Sequence, residues 1–356
     1  MRKEEYIVRI MGVIGAFLIL VACSSNEPND RSNEHVAEEN HAEETYIENL
    51  DVPWEVTRSE GTFYLTERSG MMANVSNRLE RQPLQLSKAI HSEGEGGLLG
   101  LALSEDFPES QTAFLYHTYL EDSKTLNRVV KVKLKEGIWT ETDELLSNIP
   151  GSQFHNGGRV KLGPDGMLYI TTGDAGEPEL AQNKESLAGK ILRMDVEGNV
   201  PEDNPFNGSY VYSYGHRNPQ GLAWNDEGQL FSSEHGQSAH DEINQIDAGN
   251  NYGWPVIEGD EVADGMTQPL YHSGNDTWAP SGMVYWNDQL YVACLRGEAI
   301  RSFQLKGQGT TVVKEGIGRV RSLFLDEENL YAITNNKDGR GDPVKEDDRM
   351  VKVNVE

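Results

Sequence analysis

The side chains best suited to chemistry are concentrated in one stretch of the chain, residues 214–255. This stretch contains His216, Arg217, Asn218, Glu234, His235, Asp241, Glu242 and Asn244. Pro, Gly and Asn interrupt it, which predicts that most of these side chains lie on turns and strand ends. Loops held by a rigid scaffold are where sites are usually built. The same composition also fits a polar hairpin edge without a chemical role.

A second stretch, residues 151–176, contains a histidine in a setting suited to proton transfer. His155 is followed by Asn-Gly-Gly, which predicts a tight turn just before a strand at 160–162. Histidine changes charge near neutral pH and can accept a proton from a substrate at such a position. A histidine on a turn can equally be a structural hydrogen-bonding group.

A repeated pattern predicts the scaffold that positions these residues. A turn containing Asp, Gly, Asn or Glu precedes a short apolar strand with a central aromatic residue. The aromatic residues are Tyr64, Tyr116, Tyr169, Phe231, Tyr291 and Tyr331. Six copies, 40 to 62 residues apart, are typical of a β-propeller built from four-stranded blades. We therefore predict an all-β, six-bladed β-propeller over residues 46–356, although the spacing alone also allows seven blades.

The N-terminus is typical of an exported protein. A basic start followed by a short apolar run, residues 10–22, predicts a signal peptide over residues 1–22. The apolar run is too short to span a bilayer comfortably. The sequence Leu-Val-Ala-Cys at 20–23 resembles a bacterial lipobox, which implies lipidation of Cys23 and an extracytoplasmic protein held at the membrane by its lipid anchor only. A plain secretory peptide or a short anchor helix is the alternative. Residues 23–45 are acidic and poor in aliphatic side chains, which predicts a flexible tether.

The charge of the chain excludes some partners. A formal net charge of −27 disfavours nucleic acid and direct adhesion to anionic lipid, and it is compatible with cations such as Ca²⁺. If Cys23 is lipidated, Cys294 is the one remaining cysteine, so no intramolecular disulfide is expected.

Motifs along the chain add a family resemblance. In order, they are EGGLLG (95–100), HNGGR (155–159), GDAG (173–176), YGHRNPQG (214–221), SEHG (233–236), DEIN (241–244) and NYGWP (251–255). They resemble successive motifs of the soluble sugar dehydrogenases that use pyrroloquinoline quinone (PQQ), the glucose/sorbosone or aldose sugar dehydrogenase family. The resemblance extends from about residue 50 to the C-terminus. It implies a six-bladed propeller, in agreement with the repeats, and oxidation of aldose sugars to lactones at the anomeric carbon.

The resemblance also implies roles for single residues. His155 matches the family's general base, Arg217 matches the arginine beside the reacting quinone oxygen, and Asn218 would contact the cofactor. Ca²⁺ is implied at the main-chain oxygens of Gly236 and Gln237, where relatives usually have Pro at the second position.

Further residues match by the same resemblance. Glu242 and the carbonyl of Tyr252 correspond to a second, structural Ca²⁺ site. Arg319 and Arg321 match a pair of arginines that face the cofactor carboxylates, and they alternate along a predicted strand. Arg296 lies where relatives often have Lys, and either cation can pair with a carboxylate.

The chain departs from the glucose enzyme at several positions. Glu95 replaces a Gln that faces the cofactor, where an anion would oppose the quinone carboxylates unless protonated or paired. Phe154 replaces an Asp, and Ala175 replaces a sugar-binding Gln. We therefore expect a broader and weaker aldose specificity, or a substrate that is not a simple sugar.

Other functions fit the sequence less well. GEGGLLG at 94–100 lacks the spacing and the βαβ context of a dinucleotide loop. A zinc hydrolase lacks an HExxH-type spacing, and a Ca²⁺-dependent lactonase would need more acidic residues at the channel. The serious alternative is a non-catalytic propeller, a binding protein or carbohydrate sensor without quinone chemistry. The joint occurrence of His155, Arg217, Arg319 and Arg321 favours the enzyme. The sequence leaves the sugar, the electron acceptor and the oligomeric state open.

Overall fold

A computed structural model describes residues 44–306 and 309–355 of the chain. They belong to a compact unit, Ala42–Glu356. The predicted signal peptide, the tether up to residue 43 and Cys23 lie outside the described residues. Within the described part, helix is confined to α1, Phe107–Ser110, and one 3₁₀ turn, Pro178–Ala181, and neither is long or apolar enough to cross a membrane.

The strands form six antiparallel blades, as predicted, and the first strand of the described chain belongs to the last blade. This strand is β1, Glu44–Ile47, which starts two residues before the predicted domain boundary. Blade 1 contains β2 Pro53–Ser59, β3 Thr62–Glu67, β4 Met71–Val75 and β5 Leu79–Gln82. Blade 2 contains β6 Leu84–Gln85, β7 Leu98–Leu103, β8 Thr112–Glu121, β9 Lys124–Lys135 and β10 Ile138–Pro150. Strand β6 is an addition that pairs in parallel with β10.

The remaining four-stranded blades follow in chain order. Blade 3 contains β11 Val160–Leu162, β12 Leu168–Thr172, β13 Lys190–Met194 and β14 Val211–Tyr214. Blade 4 contains β15 Pro219–Trp224, β16 Leu230–Glu234, β17 Glu242–Ile246 and β18 Tyr271–His272. Blade 5 contains β19 Pro280–Trp286, β20 Gln289–Cys294, β21 Ala299–Gln304 and β22 Thr310–Glu315. Blade 6 contains β23 Val320–Asp326, β24 Asn329–Thr334 and β25 Met350–Val353, and β1 pairs antiparallel with β25 to close the ring.

The six repeated aromatic residues mark equivalent strands. Each one lies on β3, β8, β12, β16, β20 or β24, which is the strand next to the innermost strand of its blade. Apolar clusters pack between neighbouring blades all around the ring, for example Met72 with Leu98 and Tyr169 with Leu222. Because these strands are covered on both faces, β12 is buried along its whole length and has no polar alternation.

The first full strand of each blade lies at the axis. Contacts join β2 to β7, β7 to β11, β15 to β19, β19 to β23 and β23 to β2. The loops that lead into these innermost strands therefore meet at one end of the central channel, where residues far apart in the sequence come together.

Candidate functional site

Five of the predicted site residues lie in loops that lead into an innermost strand. Glu95 precedes β7, His155 precedes β11, Arg217 and Asn218 precede β15, and Arg319 precedes β23. Because these strands surround the axis, the five side chains are collected from four blades at one end of the channel.

A cleft of about 430 Å³ opens at this end of the channel. Eight of the predicted residues line it: Glu95, His155, Arg217, Asn218, Gly236, Gln237, Arg296 and Arg319. His235, Asp241 and Arg340 also line the cleft without having been assigned a role from the sequence. In a chain with a net charge of −27, a cleft with four arginines is a local concentration of positive charge.

His155, one of the two histidines that line the cleft, is oriented by a buried carboxylate. Nδ1 of His155 lies 2.7 Å from Oδ1 of Asp174, which also accepts the N–H of Gly176 at 2.8 Å. Oδ2 of Asp174 accepts the indole N–H of Trp254 at 2.9 Å. Burial opposes ionisation of Asp174, but these hydrogen bonds and the histidine outweigh it and lower its pKa. Since an ionised carboxylate only accepts, Nδ1 carries the proton and Nε2 is left as an acceptor.

The main chain of His155 is held as firmly as its ring. The residue has a φ of 57°, in the left-handed region, and its carbonyl accepts the N–H of Ala175 at 3.2 Å. A Cβ atom at position 173 would lie 1.9 Å from this carbonyl oxygen, so Gly173 is required for the close approach of the GDAG turn. The glycines of the motif thus bring Asp174 within reach of the ring.

Arg217 and Asn218 lie beside the histidine. The guanidinium of Arg217 donates to the carbonyl oxygen of Gly236 at 2.6 Å, and its Cζ lies 5.3 Å from the ring centroid of Trp254. Oδ1 of Asn218 accepts the N–H of Gly157 at 3.1 Å, which ties the loop before β15 to the loop that carries His155. These contacts set the distance between His155 and Arg217.

The three other predicted arginines differ in position. Arg296 and Arg319 line the cleft, and Arg319 donates to Asp338 at 2.8 Å. Arg321 lies instead at a small cavity beneath it and donates to Gln220 and Asn335. Burial, followed by the charges of nearby arginines, lowers the pKa of Arg321 to about 9. An irregular register between Val320 and Ser322 interrupts the simple alternation expected for Arg319 and Arg321.

Glu95, the departure that was expected to oppose an anionic cofactor, is paired. Its Oε1 accepts from Arg340 at 2.8 Å, and its Oε2 accepts the main-chain N–H of His155 at 3.0 Å. Burial raises the pKa of Glu95, yet the charge of His235 and the hydrogen bonds from Arg340 and His155 lower it to about 2. Burial also lowers the pKa of His235 to about 4, so at neutral pH the positive partner of Glu95 is Arg340.

The residues predicted to hold Ca²⁺ occupy a tight turn. The N–H of Gly236 donates to Asp241 at 3.0 Å, and the carbonyl of Gly236 already accepts from Arg217. Two main-chain oxygens fall short of the six to eight ligands that Ca²⁺ takes. Within the described residues, no group of three or more His, Cys, Asp or Glu side chains is arranged to hold a metal.

Glu242 and Tyr252 line a neighbouring small cavity, which they share with Glu234 and Glu258. Burial, and then the charge of Glu234, raises the pKa of Glu242 to about 8. Its oxygens accept the N–H of Gly259 at 3.1 Å and the amide of Asn244 at 3.2 Å. The pair therefore lies beside the cleft and not inside it.

Several buried donors of the cleft lack a protein partner. They are Nε of Arg217, Nδ2 of Asn218 and Nε of Arg319. An unpaired buried donor costs about 1–3 kcal/mol, so three of them around one cleft fit a ligand rich in anionic oxygens. A quinone with three carboxylates matches this requirement.

Three contributors to the site were given no role from the sequence. Asp174 lies inside the GDAG motif, but only its distance from His155 reveals its role. Arg340 lies in a loop between β24 and β25, and no local signal connects it with Glu95. Trp254 was included in the NYGWP motif without a function.

The fold and the site together define a six-bladed propeller dehydrogenase with a polar cleft at one end of its axis. A family model described as glucose/sorbosone dehydrogenase matches residues 50–343, and the chain belongs to this family. The family predicted from the motifs is therefore confirmed.

Individual relatives support this assignment. The chain is 32% identical over 256 residues to quinoprotein glucose dehydrogenase B of Acinetobacter calcoaceticus, which covers 62% of this chain and 54% of that protein. The chain thus spans about half the length of that relative. It is 28% identical over 343 residues to aldose sugar dehydrogenase YliI of Escherichia coli strain K12, which covers 83% and 90% of the two chains. The PQQ-bound aldose sugar dehydrogenase of Streptomyces coelicolor has a TM-score of 0.82 and 38% identity, with coverage of 88% and 97%.

Proposed function

We propose that this protein oxidises aldose sugars to lactones at the anomeric carbon, with PQQ bound in the cleft. The observation that carries the proposal is the convergence, from separate blades, of one histidine oriented as a proton acceptor with two arginines and an asparagine that have buried unpaired N–H groups. A sugar dehydrogenase needs both features, because it removes a proton from the substrate hydroxyl and binds a cofactor that carries three carboxylates.

His155 has the role of general base. Its Nε2 accepts the proton of the anomeric hydroxyl, and Asp174 stabilises the imidazolium that results, since its carboxylate contacts Nδ1 at 2.7 Å. PQQ, when bound, supplies the two-electron acceptor that takes the hydride from the anomeric carbon. Arg217 would stabilise negative charge on the quinone when the cofactor is bound.

The remaining residues of the cleft hold the cofactor. Asn218 supplies a hydrogen-bond donor, and Arg296 and Arg319 neutralise carboxylates. Arg321 lies beneath the cleft and fixes its floor.

Ca²⁺ is proposed as the second component. The main-chain oxygens of Gly236 and Gln237 would hold it together with oxygens of the cofactor and water, because two carbonyls alone do not complete its coordination. The carbonyl of Gly236 has a second lone pair beside the one used by Arg217. Glu242 and the carbonyl of Tyr252 are proposed to hold a second, structural Ca²⁺.

The substrate side of the cleft differs from a site built for glucose alone. Phe154, the residue before His155, has 49% of its surface exposed. Ala175 has no side-chain group that could form a hydrogen bond with a sugar. We propose a broad preference among aldoses with weak binding of each.

Absorbance titration of the purified protein with PQQ and Ca²⁺ tests whether the cofactor binds. A second assay then measures the reduction of an artificial dye in the presence of aldoses. We expect saturable binding of the quinone that weakens when Ca²⁺ is chelated. Indifference to chelators would remove the role of Ca²⁺. If no saturable binding of PQQ were observed, the protein would be a non-catalytic binding propeller.

We also propose that the protein acts outside the cytoplasm and is held at the membrane by lipid attached to Cys23, which lies outside the described residues. Metabolic labelling with a fatty acid analogue tests this. Label on the wild-type chain that disappears in Cys23→Ser is the expected result, and label on both chains or on neither contradicts it.

A further inference from the structure

The loop between β24 and β25, residues 335–349, carries charged groups into the cleft from blade 6. Its carboxylates tie down both ends, because Asp348 accepts the N–H of Asn336 at 2.5 Å and Asp347 accepts the N–H of Val344 at 2.8 Å. The tip is residues 338–341. It is therefore presented by a loop that is anchored at both ends.

The tip is fastened to the cleft through Asp338. Oδ2 of Asp338 accepts from Arg319 at 2.8 Å, and Oδ1 accepts the main-chain N–H of Arg340 at 2.9 Å. A Cβ atom at position 341 would lie 2.7 Å from Cδ of Arg319, so Gly341 is needed for the tip to pack this closely. This fixes the main chain from which Arg340 extends.

Arg340 reaches from this tip to a residue of blade 2. Its guanidinium donates to Oε1 of Glu95 at 2.8 Å, and the two side chains are 48% and 18% exposed. The other oxygen of the same carboxylate accepts the N–H of His155 at 3.0 Å. One carboxylate thus connects the loop of blade 6 with the main chain of the histidine.

This connection has two physical effects in the cleft: it neutralises the charge of Glu95, and it supplies an acceptor for the N–H of His155. A carboxylate that faces an anionic cofactor without a partner would weaken cofactor binding, and Arg340 neutralises it. The left-handed main chain of His155 needs an acceptor for its N–H to stay in place, and Glu95 supplies one.

We infer that Arg340 and Glu95 form a clasp that positions His155 and neutralises the cleft for its cofactor, without either side chain binding the cofactor itself. Both are positioning residues. The neutralisation of the cleft for its cofactor rests on the proposed function. The positioning of His155 does not, because it concerns the protein without cofactor.

The first experiment follows amide hydrogen exchange in the protein without cofactor. The amide of His155 is expected to exchange faster in Glu95→Ala than in wild type, and to a smaller degree in Arg340→Gln. The control is Arg78→Gln, which breaks the surface ion pair of Arg78 with Glu80. Unchanged exchange at His155 in Glu95→Ala would overturn the positioning role, and this result does not depend on whether the protein uses PQQ.

The second experiment titrates PQQ with Ca²⁺ into the same variants. Arg340→Gln is expected to weaken the quinone affinity roughly tenfold, because Glu95 is left unpaired in the cleft. The double variant Glu95→Gln/Arg340→Gln removes both charges and is expected to recover most of that affinity. An equal loss in the single and the double variant would overturn the clasp, since Arg340 would then contact the cofactor directly. Absence of quinone binding in the wild type would refute the proposed function and leave the exchange experiment valid.

Discussion

The carboxylate of Asp174 offers the sharpest test of how the base is prepared. Three donors converge on it: Nδ1 of His155 at 2.7 Å, the N–H of Gly176 at 2.8 Å and the indole N–H of Trp254 at 2.9 Å. An asparagine at this position has one acceptor oxygen, so it cannot satisfy donors on both sides of the group. Asp174→Asn therefore changes the base in one of two ways, depending on the orientation of the amide.

If the amide oxygen faces His155, the tautomer is kept, but the charge is lost and the indole N–H of Trp254 loses its acceptor. The imidazolium then loses a charge-assisted hydrogen bond worth about 1.5–3 kcal/mol, which corresponds to a fall in kcat of roughly 10- to 100-fold. If the amide nitrogen faces His155, Nδ1 becomes the acceptor and Nε2 carries the proton. The base is then disabled, and kcat falls by roughly 10²- to 10⁴-fold.

Single-turnover reduction of bound PQQ by an aldose measures this step separately from product release. The quinone affinity is expected to stay close to that of wild type, since Asp174 does not line the cleft. The matched control is Asp165→Asn at the other end of β12, where Asp165 accepts from Arg193 at 2.9 Å and from Tyr169 at 3.0 Å. A kcat of Asp174→Asn within about threefold of the control would refute the reasoning, because it falls below the smallest loss derived above.

Three further predictions follow from the same contacts. His155→Ala is expected to lower kcat by roughly 10²- to 10⁴-fold with little change in quinone affinity, and full activity would show that the base lies elsewhere. Because the pKa of Glu95 is lowered from 4.5 to about 2, its ionised form stabilises the fold fully above pH 4.5, and this stability is lost as the pH falls towards 2. Urea unfolding should therefore show that wild type loses more free energy of unfolding than Glu95→Gln across this range, and parallel losses would contradict the pairing. Burial raises the pKa of Cys294 to about 12, so a disulfide reagent at pH 8 should modify it only after unfolding, as read by peptide mass spectrometry.

The fold was predictable because its signal is local and repeated. Each turn followed by an aromatic strand, such as that around Tyr169, folds into the same strand of its blade, so counting the copies counts the blades. The closure of the ring has no comparable signal. Strand β1 pairs Glu44 with Lys352, two residues at opposite ends of the chain, and such a long-range pair leaves no pattern in either segment.

The candidate site was predictable in part for the same reason. His155 and Arg217 stand in motifs with glycine and proline neighbours, which mark turns that present side chains. Asp174 and Arg340 were missed, because their roles depend on contacts made after folding. Arg340 meets Glu95 across 245 positions of the sequence, and neither residue has neighbours that distinguish it from surface charge.

A buried polar network joins four blades at the axis, under the loops that carry His155 and the arginines. Arg159, fully buried in blade 3, pairs with Glu55 of blade 1 and donates to the carbonyl of Gln220 in blade 4 at 2.7 Å. It also donates to the hydroxyl of Ser322 in blade 6 at 3.2 Å. The side chain of Gln220 then accepts from Arg321.

Burying an ion pair such as Glu55–Arg159 is a poor way to gain stability, because desolvation offsets most of the attraction. Breaking it by removing one partner is far worse, since the other charge remains buried. The pair therefore adds little to the free energy of folding, but separating its two charges would be costly. It mainly prevents the blades from shifting against one another. The loops that carry His155 and Arg217 continue directly into the strands of Arg159 and Gln220. The network under the cleft thus fixes the spacing of the blades from which His155 and Arg217 extend.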